Sequence, residues 1–196
     1  MYIKQIINSI FSSNTYILED ENNEDVWLVD IGDIDKIIAE LQPYQTIRGV
    51  FITHSHFDHI YGINELVKKY PDCLIYISEK GKEGLYNDKI NFSFYHEKPI
   101  KFIGGNIHVV KEGSFIEVFK NQFMTCLYTP GHDESCMCYL FNDFLFTGDS
   151  YIPNEKPVTK LKGGNKQQYE NSLLKIFGTI HANTVVCPGH GNILKH

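Results

Sequence analysis

The chain has 196 residues, 42% of them hydrophobic and 21% charged, and carries a formal net charge of −6. That usage is globular and excludes a disordered, collagenous or coiled-coil chain. The acidic balance, with Arg48 as the only arginine, argues against a phosphate-gripping surface, so no nucleic-acid partner is expected.

The first elements are strand-like. Tyr2–Ile7, Thr15–Leu18 and Val26–Val29 are rich in β-branched and aromatic residues, with a polar turn, Glu19–Asp25, between the last two. From Asp33 to Leu41 apolar residues fall at 34, 37, 38 and 41, a helical spacing closed by Pro43. Gly49–Thr53 reads as a short buried strand, Ile60–Tyr70 as a helix stopped near Pro71, and Leu74–Ile77 as another strand. The segment 87–105 carries no clear pattern. Strands then dominate, at Ile107–Val110, Phe115–Phe119, Phe123–Tyr128, Met137–Phe141 and Phe144–Phe146. Asn165 is placed to cap a helix over Lys166–Phe177 whose apolar side carries Leu173, Leu174 and Phe177. Val185–Cys187 is the last strand. One domain over residues 1–196 is expected, with layered sheets and helices outside.

No apolar run approaches the roughly 18 residues that cross a bilayer, and the N-terminal segment does not read as a leader. Cys73, Cys126, Cys136, Cys138 and Cys187 make an odd number of cysteines, which does not fit a disulfide framework. A reduced cytoplasmic protein is expected, with a small-molecule substrate and no membrane partner; nothing in the pattern points to an oligomeric state.

The chemistry is concentrated in loops that follow strands. Thr53-His54-Ser55-His56-Phe57-Asp58-His59 places three histidines and an aspartate within six residues, between a buried strand and a helix. Imidazole and carboxylate are what zinc, iron and manganese sites use. In an extended loop His54 and His56 point the same way, while Asp58 and His59, where the helix begins, aim elsewhere, so one segment can serve two adjacent ions. Three more loops each add a ligand-type side chain beside a glycine: Thr129-Pro130-Gly131-His132, Phe146-Thr147-Gly148-Asp149 and Pro188-Gly189-His190. A polar surface loop with incidental histidines is the alternative, and it does not account for this density.

Asp30, His54-x-His56-x-Asp58-His59, His132, Asp149 and His190, in that order, resemble the metallo-β-lactamase fold superfamily, over nearly the whole chain. The resemblance implies a mixed α/β (α+β) fold, a four-layer αββα sandwich with its site at one edge of two sheets. It implies two divalent metal ions, zinc by expectation with iron or manganese as alternatives. His54, His56 and His132 would hold the first ion, Asp58, His59 and His190 the second, and Asp149 would bridge them, with Asp30 supporting the loop from behind. An acid at position 149 is similar to the glyoxalase II-like, hydroxyacylglutathione hydrolase-like branch rather than to true β-lactamases. That branch implies thioester hydrolysis by a water shared between the ions, with Asp58 taking its proton. The chain departs from those hydrolases in ending six residues after His190, without their C-terminal helical extension, which puts glutathione as the thiol in doubt. Alternatives within the same resemblance are a one-iron persulfide dioxygenase using His54, His132 and Asp149, and a lactonase or other ester hydrolase. A member that binds metal without turnover is a third class.

Other residues have plainer readings. Cys136 and Cys138 are expected to pack within a strand. His96, His108, His181 and His196 are expected at the surface or in hydrogen bonds, Tyr151 in packing or at the substrate mouth. Lys156, Lys160, Lys162 and Lys166 are expected on a solvated loop, with an anionic substrate tail as the sharper alternative.

Overall fold

The computed structural model describes residues 2–21 and 23–195. Strands β1 (Tyr2–Ile7), β2 (Asn14–Glu19), β3 (Asp25–Val29), β4 (Thr46–Phe51), β5 (Leu74–Ile77) and β6 (Ile107–Val109) form one six-stranded sheet in that order. Its first two pairings are antiparallel and the rest parallel. The second sheet also has six strands: β7 (Phe115–Phe119), β8 (Gln122–Tyr128), β9 (Met137–Phe141), β10 (Phe144–Gly148), β11 (Val185–Pro188) and β12 (Leu194–Lys195), ordered β12-β11-β10-β9-β8-β7. Only β10 and β11 pair in parallel there. The helices are α1 (Ile34–Ala39), α2 (Phe57–Ile60), α3 (Ile63–Lys69), α4 (Glu79–Leu85) and α5 (Lys166–Thr179).

The two-residue period of the strands sorts the core into layers. On the first sheet Ile17, Val26, Leu28, Val50, Ile75 and Ile77 face outward and pack with Ile34, Ile37, Ile63, Leu66 and Leu85 of the helices. Their neighbours Leu18, Trp27, Val29, Phe51 and Tyr76 face inward and meet Met124, Tyr139, Phe141 and Phe146 of the second sheet. Cys138 and Leu145 on the far face of that sheet pack against Ile176 of α5. Strands β3 to β5 are buried on both faces, which is why they read as continuous apolar runs. The result is the expected αββα sandwich.

Several local expectations need correction. The helix expected over Ile60–Tyr70 is α3, which begins only at Ile63, and a separate single turn, α2, precedes it. Ile31 N–H donates to the His59 carbonyl at 2.9 Å and Gly62 N–H donates to the Ile31 carbonyl at 3.2 Å, so this backbone is bonded to the loop after β3 instead of continuing a helix ladder. Helix α4 falls in a stretch to which the sequence reading assigned no element; the Ser78 hydroxyl caps it by accepting from Gly81 N–H at 3.0 Å. Asn165 does cap α5, accepting from Gln168 N–H at 3.0 Å. Its inward side, however, is Tyr169, Ser172 and Ile176, with Leu174 74% and Phe177 49% exposed. In segment 87–105 the regular structure is a single 3-10 turn, Ser93–Tyr95, tied down by Asn91, whose amide donates to the carbonyls of Gly84 and Ile100. Asn22 of the expected polar turn and His196 lie outside the described residues.

Candidate metal centre

Strands β3 and β4 run parallel in one sheet, and β8, β10 and β11 share a direction in the other. Their ends therefore deliver Asp30, the loop 52–56, the loop 129–132, Asp149 and His190 to one edge of the sandwich. Two loop glycines make the approach possible. Gly148 sits at φ +49°, and a Cβ there would lie 2.6 Å from Thr53 Cβ. A Cβ on Gly189 would lie 2.1 Å from Asp149 Oδ1, so only glycine lets that strand end pass the carboxylate.

All seven expected ligand residues converge. His54, His56 and His132 offer ring nitrogens within 4.8 Å of one another, as do the ligand atoms of Asp58, His59 and His190. A third group, His54, His59 and Asp149, links the two by the same measure. Asp149 Oδ1 stands 3.4 Å from His59 Nε2, and its Oδ2 stands 3.5 Å from the Nε2 atoms of both His132 and His190. Asp58 Oδ2 lies 3.4 Å from His59 Nε2 and 3.3 Å from His190 Nε2.

The hydrogen bonds behind these rings set which nitrogen carries the proton. Asp30 accepts from His59 Nδ1 at 2.8 Å, and from the Thr53 N–H and hydroxyl at 2.7 and 2.8 Å. The Thr53 hydroxyl, having given its proton to Asp30, accepts from His54 Nδ1 at 3.1 Å. His132 Nδ1 donates to the Val158 carbonyl at 2.9 Å and His190 Nδ1 to the Phe11 carbonyl at 3.0 Å. His56 is turned the other way, with Nε2 3.7 Å from the Asp133 carboxylate. Each ring thus turns a lone pair inward: Nε2 of His54, His59, His132 and His190, and Nδ1 of His56.

Four of these nitrogens face each other in pairs across the centre. His132 Nε2 and His56 Nδ1 are 3.0 Å apart, and His59 Nε2 and His190 Nε2 are 3.3 Å apart. His54 Nε2 and Asp149 Oδ1 are buried with no hydrogen-bond partner. Orphaned buried acceptors aimed at one another fit cations between them, and the nitrogen and carboxylate donor set suits divalent metals.

Charge divides the two groups when no cation is present. Burial, then the neighbouring His59 and His56, hold His54 well below the usual histidine range, and burial lowers His132 as well. His59 and His190 go the other way. Burial opposes their charge, yet Asp58, Asp149 and Asp30 raise His59 well above that range, and Asp149 and Asp58 bring His190 to about 9. His54 and His132 are therefore neutral bases, while His59 and His190 share protons with the carboxylates beside them.

Some contributors escaped the sequence reading. Asp133, buried and adjacent to His132, faces His56 and is anchored by Ser135 N–H and hydroxyl donors. Ser13 donates to the Asp58 carbonyl at 2.7 Å. Asp133 carries a carboxylate that the residue pattern displays beside His132; the carbonyls of Phe11 and Val158 carry no residue signature at all.

The remaining candidates stand outside the ligand groups. Tyr151 packs edge-on against Phe177 with centroids 5.1 Å apart, so of its two readings packing holds. Cys136 and Cys138 are buried free thiols, and burial pushes Cys138 up to about 12, so both readings as packing residues fit better than reactive thiols. The strand starts at Met137, one residue after Cys136. His108 and His181 are exposed, and His96 is exposed but stacked on Phe57 at 3.9 Å. Lys156, Lys160, Lys162 and Lys166 are exposed; Lys166 pairs with Glu170, and Lys156 borders the hollow beside His132 and Asp149. Among the described residues, no helix is long and apolar enough to cross a membrane.

A family model described as Metallo-beta-lactamase superfamily matches residues 9–190. The Bacillus subtilis (strain 168) protein named "Probable polyketide biosynthesis zinc-dependent hydrolase PksB" is 27% identical over 177 residues, spanning 89% of this chain and 71% of that protein. The crystal structure of the BLEG-1 B3 metallo-beta-lactamase superposes with a TM-score of 0.89 at 23% identity, over 98% of this chain and 93% of that chain, a likeness of fold. ETHE1 from Myxococcus xanthus gives a TM-score of 0.76 at 27% identity, over 99% of this chain and 79% of that chain.

Proposed function

The chain belongs to the metallo-beta-lactamase superfamily, and we propose that it is a binuclear metal-dependent hydrolase of thioesters, glyoxalase II-like in its chemistry. The observation that carries this reading is the pair of three-residue groups, His54–His56–His132 and Asp58–His59–His190, joined through Asp149. Zinc is the expected metal, in keeping with the "zinc-dependent hydrolase" in the name of the Bacillus subtilis relative; iron and manganese suit the same donors. Divalent ions in these groups supply a Lewis acid for a carbonyl oxygen and lower the pKa of water toward about 7.

The chain's own residues do the rest. Five imidazoles aim a ring nitrogen at the centre because Asp30, Thr53 and two backbone carbonyls hold the other nitrogen of four of them, and Asp133 stands 3.7 Å from that of His56. Asp149 spans both groups and fixes their separation. Burial opposes charge on Asp58, but His59 and His190 keep its pKa below the usual carboxylate range, so it is ionised at neutral pH and stands ready to take the proton of the attacking water. No serine or cysteine nucleophile is required, and the described cysteines are all buried. The free thiols suit the cytosol, and the acidic chain with one arginine suits a small-molecule substrate.

The test is elemental mass spectrometry of protein purified without added metal, followed by a thioester and lactone screen. About two ions per chain and thioester turnover are expected, with Asp58→Ala and His132→Ala losing both metal and activity. One iron per chain, with oxygen consumed on a persulfide, would overturn the proposal in favour of a dioxygenase using His54, His132 and Asp149. In that reading the Asp58–His59–His190 group has no task, which is why the hydrolase is preferred.

A further inference from the structure

Each of the two three-residue groups draws its side chains from both sheets, so each needs the sheets fastened beside it. For His54–His56–His132 the fastening is local. Met137 N–H donates to the Thr53 carbonyl at 2.8 Å, and the Tyr139 hydroxyl donates to the Ile52 carbonyl at 2.7 Å. Asp58–His59–His190 is fastened elsewhere. His190 sits in the loop after β11, and that loop is gripped by β2, a strand of the other sheet. Asn14 N–H donates to the Gly189 carbonyl at 2.7 Å. The Asn14 amide donates to the carbonyls of Pro188 and Gly191, at 2.9 Å each, and the Tyr16 hydroxyl donates to the Pro188 carbonyl at 2.7 Å. Ser13, just before β2, pairs with His190 in an antiparallel bridge, and its hydroxyl donates to the Asp58 carbonyl.

This clamp is built at a cost. Asn14 is 1% exposed, and its Oδ1 has no hydrogen-bond partner. A buried amide with an unpaired oxygen is disfavoured, so it is kept for what its nitrogen does. Here the nitrogen serves the His190 loop and the Tyr16 hydroxyl that holds the same loop. The Tyr16 ring packs against Phe146 with centroids 5.2 Å apart, so the ring is held independently of its hydroxyl.

We infer that Ser13, Asn14 and Tyr16 are positioning residues that set the affinity of the ion held by Asp58, His59 and His190, and leave that of the other ion alone. The inference rests on the binuclear reading and adds that the two ion sites are stabilised by separate parts of the fold. None of the three side chains belongs to a ligand group. They act through the backbone at Asp58 and at residues 188–191, which they fix before an ion arrives. Ligands held in place in advance lose less freedom on binding, so the clamp appears as affinity.

The experiment reads zinc binding, so it does not depend on turnover. Metal-free protein is titrated with zinc(II) against a chromophoric chelator, which resolves the two binding steps. His132→Ala and His190→Ala assign one step to each group by removing it. Tyr16→Phe and Asn14→Ala then loosen the clamp without touching a ligand. Both are expected to weaken the step assigned to Asp58–His59–His190 by about tenfold, the scale of a lost supporting partner, with the other step unchanged. Tyr139→Phe is the control: it deletes a buried hydroxyl of the same kind from the other fastening and should spare that step. Thermal unfolding of the metal-free samples shows that each variant folds, and Tyr16→Phe, which keeps the ring, carries the test if Asn14→Ala does not. Equal weakening of both steps, no weakening of either, or the same loss in Tyr139→Phe would overturn the inference and leave the binuclear reading intact. A single zinc site in the unaltered protein would end the binuclear reading, and the inference with it.

Discussion

Asp30→Asn isolates the support behind the centre from the centre itself. Asp30 is 2% exposed and sits at φ 59°, a conformation asparagine also adopts, so the backbone is retained. The substitution keeps one oxygen for Thr53 N–H but replaces the other with an amide donor. That donor then faces His59 Nδ1 and the Thr53 hydroxyl, where Asp30 accepts at 2.8 Å from each. To avoid opposed donors, His59 must move its proton to Nε2. The Thr53 hydroxyl must turn to donate to His54 Nδ1, 3.1 Å away, which moves the His54 proton to Nε2 as well. One atom replaced thus removes an inward lone pair from each ligand group, directly at His59 and through Thr53 at His54. Loss of such a supporting partner typically weakens metal binding by about 10–100-fold, or roughly 1.4–2.7 kcal/mol. Competition with a chromophoric chelator reads both binding steps, and the step involving His59 should weaken more, since its route is direct. Thermal unfolding of the metal-free variant separates affinity from folding; two altered bonds to a buried acceptor give a loss of about 1–3 kcal/mol. Unchanged affinity for both ions would refute the proton assignment, and with it the argument that Asp30 and Thr53 set the ring tautomers.

Two further perturbations follow from the same geometry. Gly189→Ala puts a Cβ 2.1 Å from Asp149 Oδ1 and 2.9 Å from His59 Cε1, so the carboxylate must swing away; a stability cost of about 1–3 kcal/mol with reduced metal content is expected, and elemental analysis giving the unaltered stoichiometry would count against a bridging Asp149. Asp33 accepts from Ser9 N–H, from Tyr61 hydroxyl at 2.6 Å and from Lys36 at 2.7 Å, and although burial opposes its charge these donors lower its pKa to about 2. A folded pKa below the unfolded value of about 3.9 stabilises the protein above that pH, and the contribution fades as pH falls from about 4 toward 2. Denaturant titrations of metal-free protein should find Asp33→Asn weaker by about 1–2 kcal/mol at pH 7, after allowance for solvent screening, with the gap closing in acid. A gap that stays constant between pH 7 and pH 3 would exclude this linkage.

How far the sequence could be read depended on what kind of group did the work. The proposed ligands His54, His56, Asp58, His59, His132, Asp149 and His190 are side chains whose chemistry is written in their identity, and a strand before each loop placed them on one edge. Thr53 and Asp133 also act through side chains, but their task is to hold a proton on the far nitrogen of a neighbour, and threonine or aspartate in a loop has commoner uses. The carbonyls of Phe11 and Val158 do the same task with no side chain involved, so only the three-dimensional arrangement reveals them. The errors of fold have the same origin. Ile60–Tyr70 has helical spacing throughout, yet the helix begins only at Ile63, because the backbone at His59 and Gly62 is bonded to Ile31. Helix α5 turns Tyr169, Ser172 and Ile176 inward, an array that includes a hydroxyl donating to the Pro130 carbonyl at 2.7 Å, so its buried side is not its most apolar one. Apolar periodicity reports where burial is profitable on average. It is silent where a loop's backbone needs a partner, as at His59 and Gly62 beside the proposed metal centre, where that partner is the backbone of Ile31.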